Sequence, residues 1–211
     1  MLYYIKYQLK GRCYFNMKAL TFNRYRIINI AILSLVFFIA ETLVTKGAKE
    51  WFPELPYVLS LNILFMSLEY MRWRGFGLIS SVVGGLAFCM ASGATLKQYA
   101  VYCAGNLFAA AVLVFIRYIG RKRVRDKVFF TVLYVTLIYA AACMGRFAVS
   151  LVFGADIRAL LAFVTTDVLS WVFALIGVLA ARNADGIFED QRDYLLRLEE
   201  EKIDQEGLHE S

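Results

Sequence analysis

The sequence predicts an all-α polytopic membrane protein with six transmembrane helices, both termini in the cytoplasm and a C-terminal cytoplasmic helix. Hydrophobic residues make up 60% of the 211 residues, and charged residues only 19%. The charges are clustered, and the apolar intervals between clusters approach the roughly 20 residues that cross a bilayer as a helix. These intervals lack a period of two, which favours helices over the strands of a closed barrel.

The first predicted span, 27–44, is followed by a loop that contains Pro53 and Pro56. Five further spans are predicted from the later apolar runs, at 57–73, 76–91, 99–118, 128–153 and 157–181. The third span is short and carries small residues at helical spacing, namely Ser80, Gly84, Ala87 and Ala91. Such a face predicts a close helix–helix contact, either within the chain or with another subunit.

Basic residues are distributed unequally between alternate loops. Arg72 and Arg74 follow the second span, five basic residues lie within 121–127, and Arg182 follows the sixth span. The opposite side carries only Lys46, Lys49, Lys97 and Arg158. Because cytoplasmic loops are enriched in Lys and Arg, this asymmetry predicts that both termini are cytoplasmic.

The chain divides into a basic N-terminal cytoplasmic segment (1–23), a six-helix membrane domain (24–182) and a charged cytoplasmic C-terminal helix or tail (183–211). Met17 is a plausible alternative start of the chain. Asp185 is placed to cap the C-terminal helix. The partial apolar face of this helix suits contact with the membrane or a partner, whereas its charge also suits a solubilising role.

Residue types that support enzymatic chemistry are sparse. His209 is the only histidine, and the four cysteines form no CxxC pair. No Walker loop, HExxH or GxSxG motif is present. We therefore expect no enzyme activity, no cofactor and no metal site. Since the basic residues lie beside apolar runs, where they set topology, we also expect no nucleic-acid binding.

Ionisable residues inside predicted spans are costly in lipid and usually functional. Glu41, Arg146 and Asp167 lie in the outer half or near the middle of their spans. The other polar residues predicted at a similar depth are Asn62, Tyr102 and Asn106, and the aromatic walls are predicted from Trp51, Phe52, Tyr57 and Tyr102. One interpretation is an internal ion pair of Arg146 with Asp167 or Glu41 that fixes helix packing. The other is a ligand pocket open to the outside, in which the planar guanidinium of Arg146 meets an anionic or hydrogen-bond-accepting group.

Three stretches resemble a known family: RIINIAILSLVF at 26–37, RWRGFGLISSVVGGLAF at 72–88 and LKQYAVYCAGNLFAAAVLVF at 96–115. Together with the predicted helix count, the proline-bearing outer loop and the basic loop after the fourth span, they resemble the S components of energy-coupling factor (ECF) transporters. The resemblance covers about residues 24–182.

The resemblance implies a subunit in the bacterial cytoplasmic membrane that captures a vitamin or other micronutrient from outside. Its implied partners are a transmembrane coupling subunit, cytoplasmic ATPases, the vitamin-like ligand and membrane lipid. Docking in that family uses two small residues four apart on the first helix; here Ala31 matches, Leu35 stands at the second position, and Ser34 is the nearest small residue. The residues expected to bind ligand are Arg146, Asp167, Glu41, Asn62, Tyr102, Asn106 and Trp51.

Two other functions fit the same sequence. A scaffold membrane protein that resembles rod-shape-determining subunits has a similar size and helix count, and it needs no ligand pocket. A small stand-alone secondary carrier would use Asp167 or Glu41 as its proton-linked group. Converging polar residues favour the transporter, whereas charges that only pair with each other favour the scaffold.

Overall fold

A computed structural model of the chain describes residues 2–51, 53–54, 58–198 and 201, with side chains described from residue 22 onward. Every regular element in this part of the chain is helical, which confirms the all-α fold class. The helices are α1 (Leu2–Trp51), α2 (Asn62–Trp73), α3 (Gly77–Ser92), α4 (Leu96–Asn106), α5 (Val112–Ile119), α6 (Arg121–Asp126), α7 (Val128–Val152), α8 (Arg158–Thr166) and α9 (Val168–Arg182). Turns of 3-10 helix lie at Arg74–Phe76 and Leu107–Ala111, and residues 191–198 form a tail helix.

The chain divides into two compact units, residues 1–36 and 37–211. The first unit is the N-terminal part of α1, which runs unbroken through the predicted domain boundary at residue 23. Within this unit Ala31 is exposed and Ser34 is half-buried. The second unit contains the remaining helices and all the other residues predicted to form the site.

Among the described residues, four helical segments are long and apolar enough to cross a membrane: Phe22–Trp51, Asn62–Ser92, Leu96–Ile119 and Val128–Val152. The bent pair of α8 and α9 makes a fifth if it counts as one span. These segments are compatible with a multi-pass membrane protein. The prediction of six spans is not confirmed by this count, and two features of the backbone account for the difference.

The first feature is a reversal of the chain within the segment Asn62–Ser92. Arg74 has a φ of 58°, and the Tyr70 hydroxyl lies 2.9 Å from the Ser81 hydroxyl across the turn. Asn62 touches Gly84, although 22 residues along one straight helix would separate them by about 33 Å. Helices α2 and α3 therefore form an antiparallel hairpin. With 12 and 16 residues, each is shorter than a usual straight span.

The second feature is a break at Asp167, where α8 and α9 meet at an angle of 42°. The predicted sixth span, 157–181, therefore consists of two helices that meet at a bend. The hydroxyls of Thr165 and Thr166 each donate to the carbonyl four residues earlier, at 2.8 and 2.7 Å. This kind of hydrogen bond competes with the helical pattern and bends helices.

Small residues allow the helices of the second unit to approach closely. Gly84 of α3 packs against Asn62 of α2, and Gly85 packs on the backbone of Cys103 in α4. The predicted small-residue face of α3 is thus a contact within the chain. Between α4 and α7, a Cβ added to Gly105 would lie 2.6 Å from the backbone nitrogen and Cα of Arg146. Gly105 therefore brings α4 against the part of α7 that carries Arg146.

The core of the second unit lies among α2, α5 with the 3-10 turn before it, α7 and α9. Tyr134 of α7 is fully buried, and its hydroxyl donates to the Ser67 carbonyl at 2.7 Å. Phe188 of the tail packs edge-on against the Tyr134 ring, with ring centres 5.9 Å apart. The beginning of the tail is thus part of the packed protein.

The acidic start of the tail pairs with two basic turns that are predicted to lie on the same side of the membrane. Asp190 accepts a hydrogen bond from Arg74 at 2.9 Å and also pairs with Arg121. Glu189 pairs with Arg125 and, at 3.0 Å, with Arg197. The turn between α2 and α3 and the loop before α7 therefore meet at one end of the second unit.

The tail helix begins after Asp190, so the prediction that Asp185 caps it was wrong. The Asp190 carboxylate accepts the Arg192 amide at 2.9 Å, and the Asp190 carbonyl accepts the Tyr194 amide at 3.0 Å. The same carboxylate pairs with both basic turns, which places the helix start beside them. The predicted tail beyond residue 198, apart from residue 201, lies outside the described residues, as does His209.

Replacing Gly105 with alanine is expected to destabilise the protein by about 1–3 kcal/mol, because backbone atoms of α7 occupy the space of the new methyl group. Thermal unfolding of the detergent-purified protein measures this change. Gly47→Ala is the matched control, since a Cβ at Gly47 meets nothing within 4 Å. Equal melting temperatures for the two variants would contradict the close contact of α4 with α7.

Candidate functional site

Arg146 lies in α7, 18 residues after Val128 and 6 before Val152. At the helical rise these separations are about 27 Å and 9 Å. Because the basic residues of 121–127 come directly before α7, Arg146 lies near the opposite end of this helix. Its residue surface is 2% exposed, and that of Asp167 is 3% exposed.

The guanidinium of Arg146 has polar or aromatic partners from separate helices. Its Nη1 donates to the carboxylate of Asp167 at the α8–α9 break. Its Nε donates to the Asn106 Oδ1 at 2.8 Å, and the Asn106 Nδ2 donates to the Ser81 carbonyl at 3.2 Å. The guanidinium carbon lies 4.7 Å from the centre of the Tyr102 ring, a cation–π distance. Arg146 is thus turned inward and held in one orientation.

An aromatic layer lies beside the pair of Arg146 and Asp167. The Tyr102 ring packs against Phe88, with ring centres 4.7 Å apart, and edge-on against Phe163 at 6.2 Å. Phe88 is buried, whereas Tyr102 and Phe163 are only half-buried. One side of the aromatic layer therefore reaches the surface of the described protein, and the ion pair lies one side chain below it.

Glu41 belongs to a neighbouring hydrogen-bond network rather than to the Arg146 pair. Its carboxylate accepts the Ser60 hydroxyl and the Leu61 amide, both at 2.6 Å, and the Thr45 hydroxyl at 3.3 Å. Of the two partners predicted for Arg146, the structure therefore selects Asp167. Glu41 is fully buried, and its hydrogen bonds fix the start of α2.

Residues 58–61 are not helical, and this stretch is called the crossing segment below. It lies against the α8–α9 break, where the Val58 amide donates to the Thr166 carbonyl at 2.9 Å. The Ser170 hydroxyl donates to the Val58 carbonyl and accepts the Ser60 amide, both at 2.9 Å. Buried backbone groups outside helices need such partners, above all in an apolar protein. The Glu41 network and the Arg146 pair therefore meet at adjacent residues, Thr166 and Asp167.

The structure brings four of the predicted ligand residues together: Arg146, Asp167, Asn106 and Tyr102. Glu41 lies in the adjoining network. Asn62 is buried against Gly84 at the start of α2, where its backbone amide donates to the Ser60 hydroxyl at 3.1 Å. Trp51 is 80% exposed and is not part of the buried cluster. Phe52 and Tyr57 lie outside the described residues.

Several residues of the two networks were not predicted from the sequence: Ser60, Ser81, Phe88, Phe163, Thr166 and Ser170. One signal for some of them was present. Thr165, Thr166 and Asp167 form a polar interruption in an apolar run, and Ser170 follows three residues later on the same helix face. Ser60 carried no such signal, because its role depends on a contact with α9 that is remote in sequence.

The site is a buried ion pair of Arg146 and Asp167 that is neutral overall. The Tyr102 ring and the Asn106 side chain contact the guanidinium. The site can orient one planar cation and one carboxylate, but it offers no nucleophile activated by a base. In the described part of the chain, no three His, Cys, Asp or Glu side chains are grouped so that they could hold a metal ion. A neutral pair held in this way suits ligand recognition or helix packing.

We predict that Arg146→Gln and Asp167→Asn each destabilise the protein by about 3–5 kcal/mol, since each leaves a buried charge without its partner. The double variant is expected to lose much less than the sum of the two. Denaturant unfolding of all three measures this coupling. Arg158→Gln is the control, because the pair of Arg158 and Asp156 is 91% and 73% exposed and should contribute almost nothing. Additive losses would contradict a direct pair.

Glu41→Gln is expected to loosen the crossing segment, because one carboxylate oxygen that accepts Ser60 or Leu61 becomes an amide nitrogen. A loss of about 1–3 kcal/mol follows from leaving such a buried group unsatisfied. Hydrogen exchange of peptides that contain residues 58–61 measures the change. Glu50→Gln, at an exposed position of the same helix, should leave this exchange unaltered. Similar exchange in both variants would rule out the anchoring role of Glu41.

The chain matches no known protein-family model, no curated protein and no solved structure. No activity, ligand or partner is therefore transferred to it from another protein. The features that bear on its function are the inward Arg146, its partners on separate helices, and the helix break beside the crossing segment.

Proposed function

We propose that the protein is the membrane-embedded substrate-capture subunit of an ECF-type importer for a vitamin or other micronutrient, in the bacterial cytoplasmic membrane. The observation that carries the proposal is the convergence of Arg146, Asp167, Asn106 and Tyr102 at a helix break. Ligand sites in membrane transporters are typically built from polar groups at broken helices, where irregular backbone is protected by protein. The pair also lies far along α7 from the basic turns.

The helix arrangement is compatible with the six membrane passages that this assignment requires. Under this proposal α2 and α3 are two separate passages, and α8 with α9 is one bent passage. Helix α2, with 12 residues, is about 18 Å long, and the crossing segment before it lengthens this passage toward the roughly 30 Å of the hydrocarbon core. The basic turns that pair with Glu189 and Asp190 then lie on the cytoplasmic side, and Arg146 lies toward the outside.

The importer proposal requires a source of energy outside this chain. Since the sequence has no Walker loop, uptake against a gradient would draw its energy from other chains or from an ion gradient, and the importer proposal assigns it to ATPases supplied by other chains. The exposed Ala31, with Ser34 one turn away on the same helix, offers a small-residue surface for a transmembrane coupling subunit.

A scaffold that resembles rod-shape-determining subunits is the second candidate. The observation that favours it is the complete pairing of Arg146 with Asp167, Asn106 and Tyr102, since a buried ion pair can serve helix packing alone. A scaffold would co-purify with cell-wall enzymes and would carry no small molecule.

Ala31→Trp is expected to abolish assembly with the coupling subunit and ATPases, because a large ring would hold the two helices apart. Affinity purification from the native host, followed by proteomics, measures the loss. Val36→Trp is the control: it is 52% exposed and lies about 140° around the same helix. Recovery of ATPases with the Val36 variant but not with the Ala31 variant is the expected result.

The same purified material distinguishes the two candidates. Mass spectrometry of small molecules released from the native protein should detect a bound micronutrient. Cell-wall enzymes in place of ATPases, together with no released small molecule, would reject the importer and support the scaffold.

A further inference from the structure

We propose that the site of Arg146 and Asp167 binds a zwitterion, a small molecule with one carboxylate and one ammonium group beside an aromatic or other apolar body. This inference rests on the proposed function, because it assigns a ligand class to the same site.

The balance of charge restricts which ligands can exchange with the pair. Arg146 and Asp167 are 2% and 3% exposed, and each neutralises the other. A ligand that carries only a negative charge would take Arg146 and leave the Asp167 carboxylate buried without a cation. A ligand that carries only a positive charge would leave Arg146 in the same condition. Unpaired buried charges are strongly unfavourable, so both ligand types are disfavoured.

A zwitterion avoids this penalty because it carries one group of each charge, so that Arg146 and Asp167 each keep an oppositely charged partner. Its carboxylate accepts hydrogen bonds from the Arg146 guanidinium, and its ammonium group donates to the Asp167 carboxylate. The Nε of Arg146 stays bound to Asn106 at 2.8 Å, and the guanidinium stays over the Tyr102 ring. Only the Nη edge changes partner, so the cation keeps its orientation during the exchange.

The aromatic layer specifies the rest of the ligand. Tyr102 packs between Phe88 and Phe163, and both Tyr102 and Phe163 are half-buried beside the pair. An aromatic or aliphatic side group attached to the charged groups would lie against these rings. An α-amino acid with an aromatic side chain therefore combines the charges and the apolar body that the site offers.

The test uses four probes that share one indole ring and differ only in charge. L-tryptophan is the zwitterion, tryptamine lacks the carboxylate, indole-3-propionate lacks the ammonium group, and 3-ethylindole lacks both. Thermal unfolding of the full-length detergent-purified protein is measured with each probe at millimolar concentration. We expect L-tryptophan to raise the melting temperature by several degrees and the other three to raise it by less than one degree. An equal rise with any singly charged or neutral probe, or no rise with L-tryptophan, would overturn the zwitterion.

A charge variant gives an independent measurement. Asp167→Asn should reverse the preference, so that indole-3-propionate binds at least ten times more tightly than L-tryptophan, because Arg146 then carries the only charge. Arg158→Gln, at an exposed pair, should keep the preference of the native protein. Calorimetry measures both affinities. An unchanged preference in the Asp167 variant would refute the exchange, and if this variant does not fold, the probe series on the native protein decides alone.

The zwitterion and the importer are rejected by different results. A native complex with ATPases that releases a singly charged or neutral molecule would reject the zwitterion and keep the importer. A preference for L-tryptophan in a protein that purifies without a coupling subunit would keep the ligand class and reject the importer.

Discussion

Backbone groups that leave a helix inside an apolar protein must find hydrogen-bond partners, and this constraint organises the second unit of the chain. The crossing segment and the break at Asp167 both lack some of the hydrogen bonds of a regular helix, and they provide hydrogen-bond partners for each other. The Thr166 carbonyl and the Ser170 hydroxyl satisfy the crossing segment, and Glu41 satisfies its last amide. Two irregular stretches are therefore stable only together, which places them side by side.

The position of the charged pair follows from this arrangement and from helix contact. The break directs the Asp167 carboxylate toward α7, and the absence of a side chain at Gly105 lets α4 approach Arg146 closely. That approach also brings Asn106 and Tyr102 to the guanidinium. A charge that would be prohibitive alone is thus neutralised, hydrogen-bonded and covered by an aromatic ring. The same features suit the pair to helix packing, and under the importer proposal these groups also recognise the ligand.

The two ends of the second unit have different electrostatic characters. Near one end, Arg146 and Asp167 are buried and neutral overall. At the other end, Glu189 and Asp190 of the tail pair with arginines of two turns, and these pairs are partly exposed. Partly exposed pairs contribute modestly one by one, but several that share the same two carboxylates hold the turns together. Under the importer proposal, the first of these ends lies toward the outside and the second lies toward the cytoplasm.

Composition and charge distribution were enough to predict the all-α class, the approximate positions of the apolar helices and the grouping of Arg146, Asp167, Asn106 and Tyr102 at one level. These follow from local properties, since a long apolar run must be helical and a charge within it must have a partner. The partner of Arg146 and the role of Glu41 were decided only by the tertiary structure. Each depends on hydrogen bonds between residues that are distant in sequence, 21 residues apart for Arg146 and Asp167 and 19 for Glu41 and Ser60. No local pattern in the sequence specifies which of several polar groups will meet.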